Sequence, residues 1–293
     1  MSRIPRHFHF IFGLRPQTEP FHLVHYLCLE SCLRVNRPER LTLYLHHEPY
    51  GYYWDLIRPR LAVERVPLVP AVADARYDDP LIGQKLRYAH HADFIRLEKL
   101  VEHGGVYADI DTLFIRPIPD ALYENPFVIG REDPVRHEHT GEYRDSLCNA
   151  LMLAEPGSAF ARRWLAAMPA ALDGSWSNHS CGLAARLAAA HPSEVHVEPP
   201  ATFYPFMWTP ADLRALLEEN HPWPPSALGV HLWAHLWWDE KRTDFSPVHA
   251  GLLTHRHIQK ADTTYARAAR PFLPPPEPVL SRLLRALSRA PGS

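Results

Sequence analysis

Apolar residues recur at helical spacing between Leu86 and Val101. Leu86, Ala89, Asp93, Leu97 and Leu100 fall in one arc of a helical wheel. Phe94 and Val101 extend it, while His91, Glu98 and Glu102 lie opposite. The spacing predicts a helix over 92–102. Gly104-Gly105 then turns the chain into a strand that runs to Asp109-Ile110-Asp111, and a further apolar run over 113–115 stops at Pro117. Two polar residues interrupt the apolar arc: Asp93 near its middle and Arg96 on its edge. Lone buried charges are costly, so the two either pair structurally or bond to polar groups in a cleft.

Upstream, 8–12 reads as a first strand, aromatic-flanked and poorly alternating, as for a strand buried on both faces. A helix over 20–34, a strand over 41–46, an aromatic segment over 50–54 and a third strand over 61–69, interrupted by Pro67, complete the first half. Strand, helix, strand, helix, then the Asp109 strand is an α/β layout with a largely parallel central sheet flanked by helices. Ligands of such sheets bind beyond the carboxyl ends of the strands, where Gly13, His46 and Asp109 all fall. One shared cleft is therefore expected.

Downstream, 127–130 reads as a short strand and 131–145 as a polar, His-rich loop suited to a mobile lid. An apolar run over 149–154 ends in the turn Glu155-Pro156-Gly157. Helices are expected over 160–168, 181–190 and 210–219, the last capped by Thr209, with a strand over 195–204 broken at Pro199-Pro200. If 229–238 is extended, His231, Trp233, His235 and Trp237 share one side, ready either to stack on a sugar or base or to fill a core. Residues 271–278 are proline-dense. Beyond them Leu280, Leu283, Leu284 and Leu287 share a helical face with Arg282, Arg285 and Arg289 elsewhere. The chain thus divides into one domain over 1–270 and, over 271–293, a proline-rich linker with a short basic amphipathic helix. That helix either docks on the body or makes weak peripheral contact with an anionic membrane.

Composition narrows the classes. In 293 residues, 31 Lys+Arg stand against 33 Asp+Glu, a net charge of −2 that leaves no electrostatic footprint for nucleic acid. Four scattered cysteines make neither a disulfide framework nor a zinc set; Cys28 and Cys32, one helical turn apart, read as small buried residues. No long apolar stretch precedes the first charges, so no secretory leader is expected, and no run reaches the 18 or so residues of a spanning helix. A cytoplasmic location fits, peripheral to the inner face of the membrane if the C-terminal helix binds there.

The candidate chemistry centres on Asp109 and Asp111. Strand alternation puts both on one side and Ile110 on the other. Paired carboxylates repel unless a cation or shared protons offset the repulsion, and the simplest occupant is Mg²⁺ or Mn²⁺ holding phosphate oxygens.

The whole block resembles the glycosyltransferases with a DXD motif in their sugar-binding region. This is glycosyltransferase family 32, with yeast initiation-type α-mannosyltransferases and animal α1,4-galactosyl- and N-acetylglucosaminyltransferases, related to the catalytic domains of clostridial glucosylating toxins. The family opening is matched by Ile4-Pro5-Arg6-His7-Phe8-His9-Phe10-Ile11-Phe12-Gly13. Its central signature is matched by Asp93, Arg96, Gly104-Gly105, Tyr107, Asp109 and Asp111 with every spacing retained. Asn149 before Pro156-Gly157, and His231-Leu-Trp233-Ala234-His-Leu-Trp237, match its later motifs. There are two departures. Phe12 stands where the family has Trp, and Ser180-Cys181-Gly182 replaces a Gly-Pro near the acceptor-side helix.

The resemblance implies a GT-A-type nucleotide-diphospho-sugar transferase fold and metal-dependent, retaining transfer of a hexosyl unit from a nucleotide sugar, UDP-linked by expectation, to a glycan or lipid-linked acceptor. It implies a metal on Asp111 and Asp109, with His231 as a further metal or diphosphate contact. Asp109 also touches the ribose and sugar, and Asp93 and Arg96 hold donor hydroxyls. Phe12, Tyr107, Asn149, Trp233 and Trp237 complete the donor pocket. Retention is explained there by same-face attack, with the leaving phosphate as base. Rival readings are a two-metal phosphatase or nuclease drawing on His46-His47-Glu48 or His137-Glu138-His139, a non-catalytic sugar-nucleotide-binding module, and a toxin-like protein glycosyltransferase.

Overall fold

Strands β1 (His7–Ile11), β2 (Arg40–Leu45) and β3 (Ala62–Arg65) are successive parallel neighbours in the computed structural model, which describes residues 3–136 and 141–278. Helices Leu23–Val35 and Tyr52–Ile57 make the crossovers between them. β4 (Gly105–Ala108) joins the other side of β1, also in parallel, with Phe8 opposite Val106 and His9 opposite Tyr107. After β5 (Thr112–Phe114) come β6 (Phe127–Arg136), β7 (Tyr143–Ala154), β8 (His196–Glu198) and β9 (Gly229–His231). The seven-stranded sheet runs β3-β2-β1-β4-β7-β6-β8, and β5 pairs with β9 in a separate two-stranded sheet. Only β7 opposes its neighbours, so the largely parallel α/β layout is as expected.

Both faces of the sheet are covered. Phe8, Phe10, Leu43, Val106 and Leu153 face one apolar core, and Ile11, Tyr44, Tyr107 and Met152 face the other. That is why β1 and β2 show no clean alternation.

The helix predicted over 92–102 spans Arg87–His103 and is entered through a π-helical turn, Leu81–Leu86. It stops at Gly104 and Gly105, whose φ angles of 64° and 102° suit glycine. A Cβ on Gly105 would lie 2.2 Å from the His7 carbonyl oxygen, so β4 can enter beside β1 only without a side chain there. His9, fully buried, fixes the turn. One ring nitrogen donates to the Gly104 carbonyl at 2.7 Å, and the other accepts from the Tyr44 hydroxyl at 3.0 Å.

Several expectations need correcting. The loop expected over 131–145 is largely strand, because β6 and β7 extend beyond the sheet as an antiparallel ribbon with Arg136 opposite Tyr143. Its outer residues are exposed, so they carry no hydrophobic alternation to read. The strand over 195–204 is short β8 followed by a helical turn, Pro200–Phe203. Residues 229–238 are extended only to His231, after which Trp233 takes a left-handed conformation (φ 53°) and a short helix, Ala234–Trp237, follows.

The start of the expected linker lies on the body. Phe272 is buried in the core, and the carbonyls of Pro271, Pro274 and Pro275 accept from Arg34, His255 and Tyr52. The amphipathic helix expected after it falls outside the described residues.

Candidate functional site

Asp109 and Asp111 do converge, though not by strand alternation. β4 ends at Ala108, and residues 109–111 form a tight turn in which Thr112 N–H donates to the Asp109 carbonyl at 2.9 Å. The turn hands the chain from the large sheet to the β5–β9 pair, whose register sets Thr112 opposite His231. His231 Nε2 therefore lies 3.2 Å from Asp111 Oδ1 and 3.7 Å from Asp109 Oδ2. Asp111 is held further by the Ala234 N–H, 2.8 Å from its Oδ2. Burial disfavours charge on both partners. The Asp111 and Asp109 carboxylates nonetheless raise the His231 pKa, and His231 with the Ala234 N–H holds Asp111 well below the usual carboxylate range. For Asp109 burial prevails and the pKa is raised, against Arg96 and His231.

Arg96 brackets the second half of the site. Its Nη2 lies 3.3 Å from Asp93 Oδ1 and 3.3 Å from Asp109 Oδ1, and its Nη1 donates to the Asn149 carbonyl at 2.9 Å. The guanidinium sits 4.6 Å from the Tyr107 ring centroid, and the Tyr107 hydroxyl donates to Asp109 Oδ1 at 2.5 Å. Asp93 accepts at both oxygens, from Asn149 Nδ2 at 2.7 Å and from His179 Nε2 at 3.0 Å. Burial would raise the Asp93 pKa, but Arg96 and His179 outweigh it and keep the carboxylate ionised. The Asp-Arg pair is thus both structural and part of the polar cluster.

Asn149 reaches this cluster through a bulge. Between Ile129 and Gly130 the β7 partner jumps from Met152 to Cys148, so β7 carries extra residues at 149–151. The Tyr204 hydroxyl holds the bulge, accepting from Leu151 N–H at 3.0 Å and donating to the Cys148 carbonyl at 2.9 Å. Asp109 N–H donates to the Ala150 carbonyl at 2.8 Å, which ties the bulge to the carboxylate turn.

Of the two tryptophans expected at the donor pocket, Trp233 packs against the His231 ring with 4.3 Å between centroids. Trp233 and Trp237 are buried in the core, their indole N–H groups donating to the carbonyls of Phe206 and Leu232. With the strand ending at His231, their side chains leave the line of the strand, and neither is available for stacking on a ligand. Phe12 is partly exposed and packs edge-on against Phe21 at 5.1 Å and against His25 at 4.9 Å. Trp238, also partly exposed, stacks on His25 at 4.8 Å. This aromatic wall abuts the carboxylate turn through the Ile110 backbone beside His25.

Sequence reasoning missed His179, His25 and Glu132. Glu132 is buried on β6, where its carboxylate accepts from the Ser146 hydroxyl across the ribbon. A histidine in a polar loop and a glutamate in an apparent lid carry no periodic signal, so only the fold exposes them. Two further carboxylates, Asp145 and Asp173, do not join the cluster. Asp145 is exposed beside Arg131, and Asp173 holds the Ser175–Asn178 turn.

Two triads among the described residues place one donor atom each within 4.8 Å of the others: Asp109, Asp111 and His231, and His90, Asp93 and His179. They are not equivalent as cation sites. In the second, Arg96 lies against Asp93, and both His90 nitrogens are bonded, to the Tyr77 hydroxyl and the Trp176 carbonyl. The first offers two carboxylates and an imidazole, a donor set suited to Mn²⁺ or Mg²⁺.

A family model described as a glycosyltransferase sugar-binding region containing a DXD motif matches residues 67–128. Glucan organizing enzyme 1 of Cryptococcus neoformans var. grubii serotype A is 30% identical over 279 residues, covering 93% of this chain and 71% of that protein. Among solved structures, PaToxG glycosyltransferase overlaps 64% of this chain and 70% of its own, at TM-score 0.43 and 11% identity. Mouse xyloside xylosyltransferase 1, in its apo form, overlaps 67% of this chain and 86% of its own, at TM-score 0.41 and 15% identity. The mostly parallel seven-stranded sheet described above agrees with the α/β layout that the central motif implied. With the DXD region matched and a relative aligned along nearly the whole chain, this protein belongs to the glycosyltransferases whose sugar-binding region contains a DXD motif.

Proposed function

We propose that this glycosyltransferase is metal-dependent and retaining, and moves a hexosyl unit from a UDP-linked nucleotide sugar to a glycan or lipid-linked acceptor. The observation that carries the reading is the convergence of Asp109, Asp111 and His231 at the carboxyl end of β4. Asp111, Asp109 and His231 would hold a divalent cation, Mn²⁺ or Mg²⁺, which supplies Lewis-acid stabilisation of the leaving diphosphate.

The chain's own groups do the rest. Asp93, fixed by Arg96, Asn149 and His179, accepts hydrogen bonds from donor hydroxyls. Tyr107 and Arg96 orient Asp109 toward the ribose and sugar. Phe12 with its aromatic neighbours borders the nucleoside end. The acceptor oxygen forms its bond to the anomeric carbon on the face from which the diphosphate departs. The C–O electron pair goes to the phosphate, and the acceptor proton passes to a phosphate oxygen. A glycan acceptor is favoured over a protein one by the glucan-related name of the relative aligned along 93% of the chain.

The test is hydrolysis of a panel of UDP- and GDP-sugars with and without Mn²⁺, since slow transfer to water requires no acceptor. Metal-dependent release of nucleoside diphosphate from one UDP-sugar is expected. Absence of release from every donor, together with absence of donor binding, would reject the reading.

A further inference from the structure

The cationic groups of the polar cluster are already engaged. Asp93 and Asp109 share one guanidinium, Arg96, 3.3 Å from each, and Asp111 faces His231 at 3.2 Å. A divalent cation held there would be offset by Asp109 and Asp111. When the bond from the anomeric carbon to the phosphate oxygen breaks, the electron pair stays on that oxygen and the leaving diphosphate gains a further negative charge. A second cation facing the diphosphate would lower the barrier to that step.

Arg15 has the position for it. β1 and β4 are parallel neighbours, so the chain leaving β1 at Gly13 and the carboxylate turn leaving β4 emerge side by side from one edge of the sheet. The segment before Arg15 is pinned. Gly13 has a φ of 75°, a Cβ there would lie 2.2 Å from the His47 carbonyl oxygen, and its own carbonyl accepts from the His46 and His47 N–H groups at 3.3 and 2.8 Å. Leu14 is buried. The Arg15 side chain is exposed and has no carboxylate partner in ion-pair contact among the described residues. Its guanidinium rests 4.9 Å from the Tyr88 ring centroid.

Tyr88 links Arg15 to the site. It stands on the Arg87–His103 helix two turns before Arg96 and on the same face, and Arg96 touches Asp109. Burial raises the Tyr88 phenol pKa, and the charges of Arg15, Asp111 and Asp109 all act on it. Arg242, by contrast, has Asp244 at 3.4 Å.

We infer that Arg15 is a further catalytic residue: it contacts the diphosphate of the nucleotide donor and stabilises it as it leaves, with Tyr88 as the platform that aims the guanidinium. This rests on the nucleotide-sugar reading above. The experiment is calorimetric binding of UDP, GDP, uridine and guanosine in Mn²⁺, with turnover of the preferred UDP- or GDP-sugar, for the full chain and for Arg15→Ala and Arg15→Lys. Arg15→Ala is expected to weaken binding of the preferred diphosphate by roughly 10- to 100-fold, leave its nucleoside unchanged and lower kcat; Arg15→Lys should recover part of the loss by restoring charge without the fork. Unchanged diphosphate affinity and kcat in Arg15→Ala would overturn the assignment and leave the donor reading standing. Equal weakening of diphosphate and nucleoside would overturn it as well, as a packing effect through Tyr88. If the unaltered chain binds neither diphosphate, the donor reading falls and the inference with it.

Discussion

Asn149 Nδ2 donates to Asp93 Oδ1 at 2.7 Å, joining a bulged strand to the middle of a helix. With His179 on the other oxygen and Arg96 beside it, Asp93 is the node through which three segments meet. Asp93→Ala is expected to lower unfolding stability by about 3 kcal/mol, the low end for breaking a buried pair, because Arg96 keeps Asp109. It is also expected to reduce donor hydrolysis per folded molecule by roughly 100-fold, if Asp93 receives donor hydroxyls. Urea unfolding and turnover corrected for the folded fraction separate the two effects. Normal corrected turnover would make the residue purely structural.

Asp111→Asn keeps the shape and one of the two acceptor oxygens, enough for the Ala234 N–H, while removing the charge that faces His231. Turnover is expected to fall by roughly two orders of magnitude or more, since the lost charge acts in the transition state, and the melting temperature to fall as well, since the ionised carboxylate also stabilises the fold. His231→Ala should weaken Mn²⁺ binding in a direct titration of the metal. Full activity of Asp111→Asn in excess chelator would remove the metal from the mechanism.

Much of this cluster was legible because local spacing and topology agree. Asp93 and Arg96 lie on the buried side of one helix, and Gly104-Gly105 returns the chain so that Tyr107 and Asp109 face them. Two inferences from alternation failed for a shared reason. A strand must continue for alternation to hold, yet β4 stops at Ala108 and β9 at His231. Asp109 and Asp111 still meet, because the turn and the β5–β9 register bring both to His231. Trp233 and Trp237 do not line up beside it along a strand, because the left-handed residue at 233 redirects the chain into the core, where Trp233 packs on the His231 ring. His179 and Glu132 were illegible, their roles being set by tertiary contacts to Asp93 and Ser146 alone.

His9 predicts a pH dependence of stability. Burial, with His7 and His103 nearby, pushes its pKa down to about 3, against about 6.5 in an unfolded chain. The folded state therefore binds this proton more weakly. The stability contributed is fully present above pH ~6.5 and is lost as pH falls toward the folded value. Between pH 7 and 5 the loss attributable to His9 is about 2 kcal/mol. His7 and His90, depressed to about 4 chiefly by burial, add to the same slope. Urea unfolding across this range should show His9→Gln with a slope shallower by about one proton than the unaltered chain. Parallel slopes for the two proteins would show that His9 takes no part.

The last prediction concerns where the catalytic unit ends. A division at Pro271 would cut through packed structure, because Phe272 is in the core and three backbone carbonyls between Pro271 and Pro275 accept from Arg34, Tyr52 and His255. Losing a buried phenylalanine costs about 3–5 kcal/mol even before the hydrogen bonds are counted. A chain stopped before Pro271 is therefore expected to melt well below the full chain and to lose hydrolysis on warming. A chain stopped after Pro278 retains these contacts and should match the full chain in melting temperature and donor hydrolysis. The residues beyond carry Leu280, Leu283, Leu284 and Leu287 with Arg282, Arg285 and Arg289, a composition that binds anionic surfaces weakly and in a salt-dependent way. Co-sedimentation with phosphatidylserine vesicles should accordingly fall for the chain stopped after Pro278, and for the full chain in high salt. Equal sedimentation of the two chains would end the membrane reading. Loss of hydrolysis in the chain stopped after Pro278 would make the terminal leucines part of the catalytic unit.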